Sequence, residues 1–478
     1  MTSTVITQIP APAHWIDGRP VPGDSGDIEV IDPATGRSFA AVPAGTAADV
    51  DAAVGAARKA FRGWAATDLA ERVAVVRRIA DELDHRSQEI AATITAELGS
   101  PIAESRIAQA GMPVALARAF ADIAEDFPWE QRVGNSLVVR EPLGVVGAIT
   151  PWNFPLNQVM SKVAPGLLAG NTMVVKPSEI TPLTARILAE AAATAGLPDG
   201  VLNIVHGVGA AVGAAITSHP DVDMVAFTGS TAVGKHVAAS AADTVKRVSL
   251  ELGGKSASVI LEDADLPTAV AQSLASAWFN NGQVCAAWTR LLVPAARQSE
   301  VLDLLVTAAQ HYHVGDPTDE ATRLGPLVSE AQRRRVEAYV ERGIADGATL
   351  VMGGPHRPEG LKTGAYIRPT IFADVDPDSV IAQDEIFGPV LSVIPYADEE
   401  QAVEIANNSV YGLHGAVFGR QDRALAVARR LRTGQVDVNG GQYNLLAPFG
   451  GYKQSGNGGR EFGRFSLEEN LETKAIQL

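Results

Sequence analysis

The chain of 478 residues has little sulfur chemistry to offer: its only cysteine is Cys285, so an intrachain disulfide is excluded. A reducing, cytoplasmic setting is compatible with that. Basic residues are also in deficit. Lys plus Arg is 39 against 55 for Asp plus Glu, a net charge of −16. That balance argues against a nucleic-acid backbone or an anionic membrane as partner. There is no uninterrupted apolar run of about 18 residues, so no membrane span is expected. The opening MTSTVITQIPAPAHWIDGRPVPG lacks a basic n-region and an apolar core, so it does not read as a signal peptide. The nine histidines show no metal-ligand spacing, and no metal is expected.

What is present is an ordinary globular composition, long enough for about two to four domains. Residues 1–48 are rich in Pro, Gly and Asp and read as small strands and loops, with Asp27–Ile31 extended. Val50, Val54, Ala57, Phe61 and Trp64 then recur at helical steps. Asp68 and Glu71 have capping-box spacing before the apolar side of a second helix. Leu137–Arg140 reads as extended. From Leu143 the pattern alternates: strands at Val145–Ile149, Met173–Val175, Leu202–Val205 and Met224–Phe227, helices near 157–169, 181–195, 209–218 and 230–242. That is the sequence form of a covered parallel sheet, suited to nucleotide binding. Gly253-Gly254 marks the expected domain change. A second α/β block follows, with strands near Ser258, Leu291, Val390 and Ala416 and helices near 264–281, 297–310, 329–346, 398–407 and 422–432.

Several residues could carry chemistry. Cys285, after Asn280-Asn281-Gly282-Gln283-Val284, reads either as a small buried hydrophobe or as a nucleophile that needs help to form thiolate. Glu251 is a strand residue that either faces solvent or, partly desolvated at a cleft, serves as a general base. Asn153, between Pro151 and Pro155, is either a turn residue or an amide donor to a developing oxyanion. Gly229 and Gly234 flank a strand-to-helix turn at Ser230, where a helix N-terminus can hold phosphate. Lys176 and Glu179 either reach ribose hydroxyls or are solvated loop charges.

Taken together, PWNFP (151–155), KPSE (176–179), FTGST (227–231), LELGGK (250–255), GQVC (282–285), EIFGPV (385–390), PFGG (448–451) and KQSG (453–456) resemble the aldehyde dehydrogenase superfamily, from about Trp15 to the chain end. The resemblance implies a Rossmann-like NAD-binding domain (1–122 and 141–253), a catalytic α/β domain (254–445) and a small β oligomerisation element (123–140 and 460–478). It implies a homodimer or homotetramer acting on a small aldehyde. Cys285 would be the nucleophile, Asn153 and the Cys285 backbone N–H the oxyanion donors, and Glu251 the general base. Glu461 would belong to a proton relay. Lys176, Ser178 and Glu179 would surround the adenosine ribose, with Ser230 and its helix at the pyrophosphate and Glu385 and Phe387 at the nicotinamide end. Thr150, Pro151, Trp152, Gly209, Gly213, Phe227, Gly229, Val233 and Leu252 complete the implied NAD surface. Gln158, Ser161, Trp288, Tyr443 and Phe449 are expected along the aldehyde tunnel. The resemblance also leaves a CoA-acylating variant, which Glu251 disfavours, a non-catalytic protein on the same fold, which the Cys285, Asn153 and Glu251 set disfavours, and a cofactor-free thiol hydrolase, which KPSE and FTGST disfavour.

Overall fold

A computed structural model of the chain describes residues 12–478. The first eleven residues of the expected segment 1–122 lie outside it. The first seven-stranded sheet runs in the order Arg247–Glu251, Met224–Thr228, Val145–Ile149, Thr172–Lys176, Leu202–Ile204, then His14–Ile16 and Arg19–Val21. Its first five strands are parallel. His14–Ile16 joins the edge antiparallel, with Trp15 opposite Ile204. The four strands from Val145 to Thr228 are buried throughout, as continuous apolar runs covered on both faces must be.

The second sheet is also seven-stranded. Its parallel centre is Thr370–Ala373, Val390–Tyr396, Arg290–Pro294, Ala257–Ile260 and Gly415–Phe418. Thr349–Met352 adds antiparallel at one edge and Asp437–Val438 parallel at the other. The two sheets and their covering helices form the mixed α/β architecture with Rossmann-like parallel strands that the sequence implies.

A third sheet of three strands is antiparallel. Glu130–Val133 pairs with Ser136–Pro142, which pairs in turn with the chain end, Leu471–Gln477. The expected hairpin at 123–140 is displaced, because a helix occupies Met112–Asp126. Its inner side, including Leu116 and Phe120, packs in the core of the first sheet and continues the helix past 123. That core also takes in Leu467 and Leu471 from the far end of the chain.

The expected capping box at Asp68 does not form: the helix Leu69–His85 has no side-chain cap hydrogen bond. The complete box lies at the preceding helix instead. The Thr46 N–H donates to the Asp49 carboxylate at 2.8 Å, and the Asp49 N–H to Thr46 Oγ1 at 3.4 Å. No helix among the described residues is long and apolar enough to cross a membrane.

Candidate active site

Cys285 follows a segment that no regular element could supply. After the helix Leu266–Trp278 the chain runs through three consecutive left-handed residues: Asn280 (φ 48°), Asn281 (φ 58°) and Gly282 (φ 75°). Asn tolerates this region because its amide bonds locally. Gly282 cannot be replaced so easily: a Cβ there would stand 2.2 Å from the Gly388 carbonyl carbon. Side-chain amides fasten the segment. Asn281 Nδ2 donates to Pro326 O at 2.9 Å, and its Oδ1 accepts the Gly325 N–H at 2.6 Å. Gln283 Oε1 accepts the Val328 N–H at 2.9 Å.

Cys285 carries a free, partly buried thiol. Burial pushes Cys285 up to about 12, the Glu385 and Glu251 carboxylates add to the shift, and the Ala286 N–H opposes it. Asn153 stands beside the same loop. Pro155 opens the helix Pro155–Ala169, where its missing N–H costs no helix bond. Asn153 is buried and its Nδ2 donates to Gln283 O at 3.0 Å. That bond uses one of the two amide hydrogens.

Glu251 ends the strand Arg247–Glu251 and is 3 % exposed, so the solvent-facing alternative fails. Neither carboxylate oxygen has a hydrogen-bond partner. Burial drives its proton affinity well above the usual carboxylate range. The Glu461 charge reinforces this, while Lys162 and Arg460 oppose it. Its Oε1 lies over the backbone of Gly450, where a Cβ would come within 2.6 Å. Glu461 is salt-bridged to Lys162 at 2.6 Å, and Lys162 Nζ also donates to Thr228 Oγ1 at 2.7 Å. Ser161, Lys162, Ser249, Arg460, Glu461 and Glu469 line a cavity with room for a single water.

Most of the residues expected at the cofactor lie at or just beyond the ends of the first sheet's strands, while Glu385 and Phe387 precede a strand of the second sheet. Thr150 N–H donates to Lys176 O at 3.1 Å, and Thr150 Oγ1 is buried without a partner. Lys176 is buried and bonded to Glu179 Oε2 at 2.8 Å and to Pro177 O at 3.0 Å, so neither is a free loop charge. Ser178 Oγ accepts the Ile180 N–H at 3.2 Å. Ser230 caps the helix Thr231–Ala241 through the Val233 N–H, and Val233 itself is exposed. The Gly229 N–H donates to Glu251 O at 3.0 Å, tying this turn to the general-base candidate. Phe227 and Leu252 are buried behind it. Gly209 has open space where a Cβ would be, and at Gly213 a Cβ would have nothing nearer than 3.9 Å. A flat group can lie against such a surface. Glu385 Oε1 accepts the Gly254 N–H at 3.1 Å, and burial raises this carboxyl to about 7. Phe387, with φ of 62°, meets Trp152 edge-on at 5.2 Å. Open glycines, a capped helix end, an unpartnered hydroxyl and two carboxylates fit a dinucleotide.

Two of the residues expected along the tunnel have other neighbours in the structure. Trp288 is buried in the core of the second sheet, edge-on to His414 and Phe418 at 5.9 and 6.1 Å. Its size is absorbed there, because strand Arg290–Pro294 begins just after it and carries it inward. Ser161 turns toward the Lys162–Glu461 cavity and donates to Gln158 O at 3.0 Å. Gln158 keeps a buried Oε1 without a partner. Tyr443 is half exposed and meets Phe462 at 5.9 Å, and Phe449 packs on the same ring at 5.4 Å.

The "Aldehyde dehydrogenase family" model matches residues 21–476. The chain belongs to the aldehyde dehydrogenase family. Among its relatives, this family member is 48 % identical over 467 residues to 3-succinoylsemialdehyde-pyridine dehydrogenase of a Pseudomonas species, covering 97 % of both chains. Among solved structures it is similar to a cysteine-to-alanine mutant of aldehyde dehydrogenase C from Pseudomonas syringae, complexed with NAD+ and octanal. The TM-score is 0.96 at 46 % identity, covering 98 % of this chain and 96 % of that one. An aldehyde dehydrogenase of Mycobacterium tuberculosis complexed with NAD+ gives 0.95 at 45 % identity, covering 98 % of each.

Lys162, Gln109, Asn280 and Arg460 were not singled out by sequence reasoning. Lys162 had a usable signal: it is the only charge in PLNQVMSKVAPGLLA, a helix otherwise built for burial.

Proposed function

We propose that the protein oxidises an aldehyde to the carboxylic acid with NAD, through a covalent Cys285 adduct resolved by Glu251-activated water. The observation that carries the reading is the bond from Asn153 Nδ2 to Gln283 O, two residues before Cys285. It fixes an amide donor and the cysteine loop to one another. Cys285 Sγ, once rid of its proton, forms a bond to the aldehyde carbon, and the carbonyl π pair moves onto oxygen. Asn153 and the Cys285 N–H stabilise that oxyanion, each such donor being worth about 2.7–4 kcal/mol. NAD, when bound, supplies the acceptor for the hydride that leaves the carbon, and Lys176, Ser178, Glu179, Ser230, Glu385 and Phe387 would hold it. The thioester left on Cys285 is then attacked by water whose proton passes to Glu251. The C–S bond breaks, and the acid departs.

A base in this role must be ionised at working pH yet hungry for a proton, and the buried, unpartnered Glu251 suits it. Glu461 and Lys162 would pass the proton onward. A cytoplasmic homodimer or homotetramer is the working assembly we propose, with the sheet of residues 130–142 and 471–477 as the contact. Cys285→Ala tests the reading: aldehyde-dependent NADH formation should be abolished with NAD affinity kept. Substantial turnover by the variant would remove the covalent mechanism.

A further inference from the structure

We infer that Gln109 is a positioning residue for the oxyanion donor, acting through the backbone carbonyl of Asn153; the inference rests on the function proposed above. Gln109 lies in Ser105–Gly111, a seven-residue π-helical stretch set between the helical segments Ile102–Glu104 and Met112–Asp126. A π turn holds more residues than an α turn, so it rotates every following side chain relative to a continuous α-helix. Such insertions are rare and recur at functional sites. Here the wide turn brings an amide to a fully buried position.

Gln109 Nε2 donates to Asn153 O at 3.1 Å. Asn280 Nδ2 donates to the same oxygen at 2.8 Å. The Asn153 peptide is therefore held from two sides, by the π turn and by the cysteine loop. The Asn153 side chain returns a bond to that loop at Gln283 O. With Gln109 removed, the carbonyl keeps one donor, and the peptide plane that sets the direction of the Asn153 side chain can rotate about it. Gln109 Oε1 is buried and unpartnered. An unpaired amide oxygen in a core is unfavourable. An aliphatic side chain would avoid that penalty, so what distinguishes glutamine here is the donor on its other end.

The test uses the full-length protein, with hydride transfer read as NADH formed in a single turnover and NAD affinity read by fluorescence titration. Gln109→Met should slow hydride transfer about five- to tenfold, the worth of one hydrogen bond, with NAD affinity and the aldehyde KM unchanged within about twofold. In an Asn153→Ala background the same substitution should have no further effect. Gln109→Glu should recover toward the wild-type rate at low pH, where the protonated carboxyl can donate to Asn153 O, and lose that recovery as the carboxyl ionises. An equal slowing by Gln109→Met in both backgrounds, or no slowing in the wild type, overturns the inference and leaves the oxyanion role of Asn153 standing. Asn153→Ala with undiminished hydride transfer removes that role, and the inference with it. Should Gln109→Met fail to fold, the Gln109→Glu ratio to wild type decides alone: a ratio flat across about pH 6–9 overturns the inference.

Discussion

Lys162→Met and Glu461→Gln should move the acid limb of the pH–rate profile in opposite directions. The pair is buried, with side-chain exposures of 4 % and 11 %, so solvent screens it little. The Lys162 charge lowers the proton affinity of Glu251 and the Glu461 charge raises it. In the proposed mechanism Glu251 acts as the carboxylate, so activity should rise with pH through its pKa. Removing Lys162 must push the limb up. Removing the Glu461 charge must pull it down. Each limb should move by about one to two pH units, each unit being about 1.4 kcal/mol of charge interaction. Stability separates the two variants as well. Lys162→Met strands a buried carboxylate and should cost about 3–5 kcal/mol. Glu461→Gln keeps an acceptor for Nζ beside Thr228 Oγ1 and should cost about 1–3 kcal/mol. The assay is the thioester-hydrolysis rate against pH, with thermal melting alongside. Limbs displaced in the same direction, or not displaced, would refute this electrostatic account of Glu251.

Glu251→Gln should leave a first-turnover burst of NADH while acyl-enzyme accumulates on Cys285, as mass spectrometry of the intact chain can read; a normal steady-state rate without adduct excludes Glu251 as the base. NAD should be preferred over NADP by at least about tenfold in kcat/KM, because the Glu179 carboxylate, paired to Lys176 at 2.8 Å, would face the 2′-phosphate. Glu179→Ser should narrow that gap chiefly by improving NADP, since it also releases Lys176, and equal kcat/KM in the wild type contradicts the argument. Glu104 is raised to about 8 by burial, opposed by the Asn280 N–H. Its folded pKa exceeds the unfolded value of about 4.3, so the native state binds the extra proton and stability falls as pH rises between these values. Glu104→Gln should therefore melt higher than wild type at about pH 9 and nearly alike at about pH 5; a difference independent of pH would count against it.

The parallel strands were legible because burial on both faces demands continuous apolar runs such as Val145–Ile149, and these survive in one dimension. Motif order singled out Glu251 and Cys285 as candidates, yet the sequence left their burial open. Asp68 shows the limit of local spacing: Asp-x-x-Glu occurs there, but Thr46-x-x-Asp forms the box. The helix Met112–Asp126 went unread, and with it the π turn that carries Gln109. Proximity of Trp288 to Cys285 in sequence did not reveal that its ring packs in the core of the second sheet. The network of Gln109, Asn153, Asn280 and Gln283 joins residues more than a hundred positions apart, and no local pattern encodes it.

The chain end bears on how the molecule is made. Leu467 and Leu471 sit in the same core as Leu116, Phe120 and Val163. Asn171 Nδ2 donates to Asn470 O at 2.8 Å, and Arg247 donates to the carbonyls of Glu469 and Leu471. During vectorial synthesis the first sheet is therefore complete as sequence by residue 251 but lacks its closing side chains for some 220 residues more. At about 5–20 residues per second, that is about 10–45 seconds of exposed apolar surface on the ribosome. A chain cut before Leu471 would lack part of the packing that closes its first core.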